Sequence, residues 1–219
     1  MFFSLLPALP ARGLAGFFTR GTPLAPIAHV FIDYQNVHLT GHGSWCPQAE
    51  PRHLCLVDPL LLAELLVARR APGGELTAVH VFRGRPDPRR EPKAAARSDH
   101  QASAWEADPR VHVSRRQLRY PQGWGEPGNA GRAQEKGVDV QLAVHLVEAA
   151  INRDFEVGIV FSHDTDLIPA LESASRLGAH IEIASWGGRN RLRSPVVKLF
   201  SHTLTQDDFE QVRDQRVYE

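Results

Sequence analysis

Short apolar runs alternate with segments of helical spacing along most of this chain, and that alternation limits the folds available to it. The runs at 29–33 (HVFID), 76–84 (LTAVHVFRG), 110–114 (RVHVS), 156–162 (EVGIVFS) and 180–185 (HIEIAS) are rich in β-branched and aromatic residues, as strands are. Helix signals lie between them. Asp58 precedes Pro59 and LLLAELLVARR, which is an N-cap followed by proline at the first helical position. The latter half of the Arg- and Pro-rich stretch 83–105 also reads as helical. Leu142, Ala143, Leu146, Val147, Ala150 and Ile151 recur at helical spacing. Another helix follows Asp166 and stops at Gly178, and Thr205 with Asp208 three residues on predicts a capping box for a terminal helix. Strands alternating with helices predict an α/β fold with a mostly parallel sheet and right-handed crossovers. At 219 residues, one such domain with extensions fits better than two.

Composition narrows the partners. Hydrophobic residues make up 42% of the chain, enough for a sizeable core. With Lys+Arg 25 against Asp+Glu 25, no basic coat surrounds the protein, so any polyanion must be held by local patches. Cys46 and Cys55 form no disulfide framework and point to a reducing cytoplasm. The opening MFFSLLPALPARGLAGFFTRGTPLAP is apolar, yet no Lys or Arg precedes the apolar stretch, and Pro7 and Pro10 interrupt it. It is also too short to span a bilayer, so no membrane is expected as a partner. Residues 1–26 are read as a flexible N-terminal extension and 27–219 as the domain, terminal helix included.

The chemistry gathers at strand ends. In open parallel sheets, ligands sit beyond the carboxyl ends of the strands. The run 29–33 ends in Asp33, with Asn36 just after it; the run 156–162 is followed by Asp164 and Asp166; Asp139 opens the helix before that strand. Taken singly, each aspartate is a plain helix cap or first-turn residue. Four at one end of a sheet would repel one another and hold protons unless a cation intervened. A hard, oxygen-seeking divalent ion, Mg or Mn, fits such a set.

Three blocks of sequence resemble the signature motifs of the NYN domain, a branch of the PIN-like nuclease superfamily: FIDYQN, EKGVDVQLAVHLVEAA and VFSHDTDLIPAL. The likeness spans roughly 27–188. It implies a Rossmann-like (PIN-like) sheet flanked by helices and a metal-dependent endoribonuclease. By matching positions, Asp33, Asp139, Asp164 and Asp166 would be the metal carboxylates, with Asn36 assisting. Two departures from the family pattern stand out. His145 replaces a second helix aspartate, and His163 and Leu167 replace the glycine and phenylalanine around the acidic pair. The competing reading is a weak or inactive NYN-fold protein that binds RNA or scaffolds other proteins. Metal-assisted hydrolysis needs no 2′-hydroxyl, so the preference for RNA comes from the resemblance alone.

Phosphate contacts are expected from Arg83, Arg85, Arg89, Arg90 and Lys136, and from Arg189 and Arg191 after the last strand; Trp124 and Trp186 are candidates to stack on bases. His42, Cys46, His53 and Cys55 share one loop, but their spacing matches no standard zinc finger. On the helix after Asp139, His145 falls about 120° from the apolar stripe, on a flank. Assembly into a homo-oligomer is left open by the sequence.

Overall fold

Ala28, Val30 and Ile32 point to one face of strand β1 (Ile27–Asp33) and Phe31 to the other, and all four are fully buried. A strand buried on both faces belongs in the middle of a sheet with helices on either side. The computed structural model, which describes residues 25–71, 73–128, 131–188 and 191–218, has that arrangement. After β1 come α1 (Tyr34–Trp45), β2 (Leu56–Val57), α2 (Pro59–Ala68), β3 (Glu75–Arg85), α3 (Pro92–Trp105) and β4 (Val111–Gln117). Then follow α4 (Val138–Asn152), β5 (Val157–Phe161), α5 (Ile168–Arg176), β6 (His180–Trp186), β7 (Phe200–Leu204), α6 (Gln206–Gln211) and β8 (Arg213–Asp214). Six strands pair in the order β4-β3-β1-β5-β6-β7, every pair parallel. The short β2 and β8 pair antiparallel beside them.

Two apolar layers hold the helices on. One joins Val30 and Ile32 to Leu62 and Leu66 of α2, Trp105 of α3 and Trp186 of β6. The other joins Phe31 and Val160 to Leu142 and Leu146 of α4 and Leu171 of α5. The expected caps form: the Asp58 carboxylate accepts from the amides of Leu60 and Leu61, and Thr205 and Asp208 make the reciprocal capping box. Because β1 and β5 are parallel neighbours with Ile32 opposite Phe161, Asp33 and Ser162 leave the sheet side by side.

Several expectations are corrected. Helix α1 and strand β7 carried no clear periodic signal, and both belong to the fold. Gly41 in α1 is dictated by packing, since a Cβ there would lie 2.8 Å from the Phe209 ring. Trp186 is a core residue, fully buried with its indole N–H donating to the Val37 carbonyl at 2.9 Å, so it offers no base a stacking surface. Cys46 and Cys55 are joined in a disulfide, their Cα atoms 6.6 Å apart, which removes the argument from free thiols to a reducing compartment. Residues 1–24 of the expected extension lie outside the described residues. Among those described, no helix is long and apolar enough to cross a membrane.

Candidate active site

The turn from β1 into α1 fixes the first carboxylate. Asp33 is the N-cap of α1: its Oδ1 accepts from the Asn36 amide at 3.2 Å, and Oδ2 accepts from the Ser162 hydroxyl at 2.9 Å. The same Ser162 oxygen accepts from the Asp164 amide at 3.0 Å, so one hydroxyl ties the ends of β1 and β5 together. Asp164 caps a short 3₁₀ turn, with Oδ1 accepting from the Asp166 amide at 2.9 Å. The capping role and a ligand role are compatible, because a carboxylate has a second oxygen. Asn36 spans the gap, its side-chain oxygen accepting from the His163 amide at 3.3 Å. Gly137, at φ 77°, turns the chain into α4 and sets Asp139 in its first turn.

These residues share one cleft. Asp33, Asn36, Asp139 and Asp164 line a cavity of about 500 Å³ together with Gln35, Lys136 and Glu135. Carboxylate oxygens of Asp139, Asp164 and Asp166 lie within 4.8 Å of one another. Burial pushes the Asp33 carboxyl up to about 6, offset by the bonds from Asn36 and Ser162 and reinforced by the charges of Asp164 and Asp139.

Glu135 has the same character and was missed in the sequence. Burial pushes it up to about 7, with Asp33 and Asp139 adding to the effect. Its Oε1 accepts from the Gly84 amide at 2.5 Å, and a Cβ on Gly84 would lie 2.8 Å from the Glu135 Cγ, so the glycine makes room for it. The only signal in the sequence was its place beside the Lys-Gly-Val-Asp block, where it passes for one more surface charge.

The donors that meet here are all carboxylate oxygens, the set that Mg²⁺ or Mn²⁺ takes and that softer metals do not favour. Burial is the main cause of the upward shifts at Asp33 and Glu135, the neighbouring carboxylates add to it, and a bound cation would favour the ionised forms against both. On both counts the residues fit a hard divalent cation.

The expected phosphate contacts divide. Lys136 lines the cleft. Arg83 turns inward: its guanidinium lies 4.9 Å from the Tyr34 ring centroid and 5.3 Å from that of Trp105, and donates to Gln101 at 2.8 Å. Arg85 is held by both oxygens of Asp99, at 2.8 and 2.7 Å. Arg90 lies over the Tyr120 ring and Arg89 is exposed, while Trp124 packs edge-on against Tyr120. Arg191 lines a different cavity, among residues that open β6 and β7. Arg189 lies outside the described residues. His145 is apart from the acidic group: its Nε2 is 3.1 Å from Nδ1 of His80, whose Nε2 is 3.2 Å from His29. The flank of α4 that carries His145 covers β3, with the ring against Phe31 and Phe82.

The family model of the NYN domain matches residues 28–200, from β1 to the start of β7. The chain belongs to the NYN domain family. That makes it a member of a nuclease-type family with a carboxylate cluster at the expected end of the sheet. No curated protein matches this NYN domain. Among solved structures it is similar to a protein of unknown function from Vibrio parahaemolyticus, at 14% identity and a TM-score of 0.47, over 86% of this chain and 98% of that one.

Proposed function

We propose that this NYN domain is a metal-dependent endoribonuclease, hydrolysing RNA phosphodiester bonds where Asp33, Asp139, Asp164 and Asp166 hold Mg²⁺ or Mn²⁺. The observation that carries the reading is the meeting of the Asp139, Asp164 and Asp166 carboxylates beside buried Asp33. A bound ion of this kind polarises a phosphoryl oxygen and lowers the pKa of a water near it.

The protein's own part is positioning. Ser162 and the Asn36 amide fix the Asp33 carboxylate, so little rotamer freedom is lost when a ligand arrives. The Asp166 amide holds one oxygen of Asp164 and leaves the other to the cleft. Lys136 supplies a cation on the cleft wall for a phosphate, and Gln35 supplies an amide. Exposed Arg89 and Arg90 add positive charge on the outside of the domain for the strand beyond the cut. RNA as the substrate rests on the family. A cytoplasmic location, tested by cell fractionation, loses the support of free cysteines now that Cys46 and Cys55 are joined.

The test is cleavage of end-labelled single-stranded RNA by the purified chain with Mn²⁺, with Mg²⁺ and with chelator. Cleavage that needs the ion and falls at least about a hundredfold in Asp166→Asn supports the proposal. Asp166 is exposed, so that variant should fold normally. RNA binding with no chelator-sensitive cleavage would instead establish the non-catalytic reading.

A further inference from the structure

A second cavity, of about 870 Å³, lies at the other end of the sheet from the acidic cleft. His180 and Phe200, which line it, are the first residues of β6 and β7, whose last residues lie at the carboxylate end. Seven residues of strand separate the two ends of β6, roughly 20 Å at about 3.3 Å per residue. The apolar part of the lining is Ile183, Leu192 and Leu199 with Phe200, the last 55% exposed, at the start of β7.

Both walls are preformed. On one side the segment after β6 is pinned by Ser194, whose hydroxyl donates to Glu172 of α5 at 2.6 Å and accepts from the amides of Val196 and Val197, each at 3.0 Å. On the other side Glu182 binds Arg70 at 2.9 Å and His202 at 2.6 Å, and each of these three side chains is 4% exposed. The carboxylate of that wall is therefore already neutralised. Arg191, Arg193 and Lys198 also line the cavity and have no carboxylate partner among the described residues. Ser194 and Ser201 complete the polar part of the lining.

We propose that this cavity binds a small amphipathic anion, with a flat or acyl apolar body against Phe200 and Leu199 and a phosphate or carboxylate head on Arg191, Arg193 and Lys198. Arg191, Arg193 and Lys198 are exposed on the lining, and an anionic head group is the charge complement they take. The volume suits a ligand pocket lined mainly by apolar groups with a few polar ones. Preformed walls reduce the entropy lost on binding. This site is independent of the cleavage chemistry.

The test is a fluorescence titration of the full chain with 1-anilinonaphthalene-8-sulfonate, and with uncharged N-phenyl-1-naphthylamine as the comparison. Wild type should bind one sulfonate probe saturably. Arg193→Glu/Lys198→Glu should weaken it at least about tenfold, the effect of losing charged hydrogen-bond partners, and leave the neutral probe unchanged. Both substitutions lie in a surface segment, and melting curves verify the fold. Adenosine monophosphate and decanoate then compete for the site: displacement by the first assigns a phosphate ligand, by the second a carboxylate one. The proposal is overturned if the sulfonate binds both proteins equally, if the neutral probe loses as much, or if neither competitor displaces it. Probe binding only on dissociation of a dimer in sedimentation would assign the cavity to a second copy, and would overturn it as well.

Discussion

Replacing Asp33 by asparagine probes the electrostatics of the acidic cleft without any need for a substrate. Burial, with Asp164 and Asp139 nearby, raises this carboxyl from 3.8 to about 6. A group whose folded value is raised holds its proton longer in the native state. Its contribution to stability is therefore present at low pH and is lost as the pH rises from 3.8 through 6. Over that window the ionised side chain costs the metal-free fold about 3 kcal/mol at pH 7 and about 0.5 kcal/mol at pH 4. Asparagine keeps the shape: its carbonyl oxygen can accept from the Asn36 amide, and its NH₂ can donate to the Ser162 oxygen. In chelator, Asp33→Asn should therefore exceed wild type in urea unfolding by up to about 3 kcal/mol at pH 7, with the gap closing toward pH 4. Added Mn²⁺ should reverse the order, because only wild type keeps the full ligand set and the linkage stabilisation that goes with it. Equal stabilities in chelator at both pH values would refute the crowding argument. An equal gain from Mn²⁺ in both proteins would remove Asp33 from the metal site.

The histidine chain gives a prediction of the opposite sign. Burial, with His145, His29 and His112 close by, lowers His80 to about 3, so the fold loses stability as the pH falls below 6.5. Relative to His80→Phe, wild type should lose about 2 kcal/mol between pH 7 and pH 5 in paired urea titrations; a constant difference would show that His80 does not resist protonation. At the cleft, Asp139→Asn should lower RNA cleavage at least about tenfold and weaken Mn²⁺ binding, while His145→Ala changes the rate less than about threefold. The reverse ranking would place His145, not Asp139, at the chemistry. A chain starting at Ala25 should match the full one in melting temperature and cleavage rate; failure to fold would mean that the preceding residues pack into the domain.

Local rules made much of this fold readable. Asp58-Pro59 and Thr205 with Asp208 are signals complete within four residues, and the helices they start form where expected. Buried strands such as Val157–Phe161 announce themselves because a strand covered on both faces must be apolar throughout. Helix α1 gave no such signal, since its sequence YQNVHLTGHGSW buries only Tyr34, Val37 and Gly41, and Gly41 answers to Phe209, far along the chain. The acidic constellation was legible because strand ends and helix starts place side chains at one known edge of a parallel sheet.

What the sequence determined by itself, then, was residue type and position along each element: strands, most helices, and four aspartates at one end. The tertiary structure decided which charges remained available. Arg83 and Arg85 follow a strand toward the cleft, yet the rings of Tyr34 and Trp105 enclose one and Asp99 holds the other. Glu135 reads as an ordinary surface acid until Gly84 and the carboxylates close around it. A side chain's charge is fixed by its chemistry. Its free energy depends on the solvent and partners it retains, and those are set by residues distant in the chain that only folding brings near.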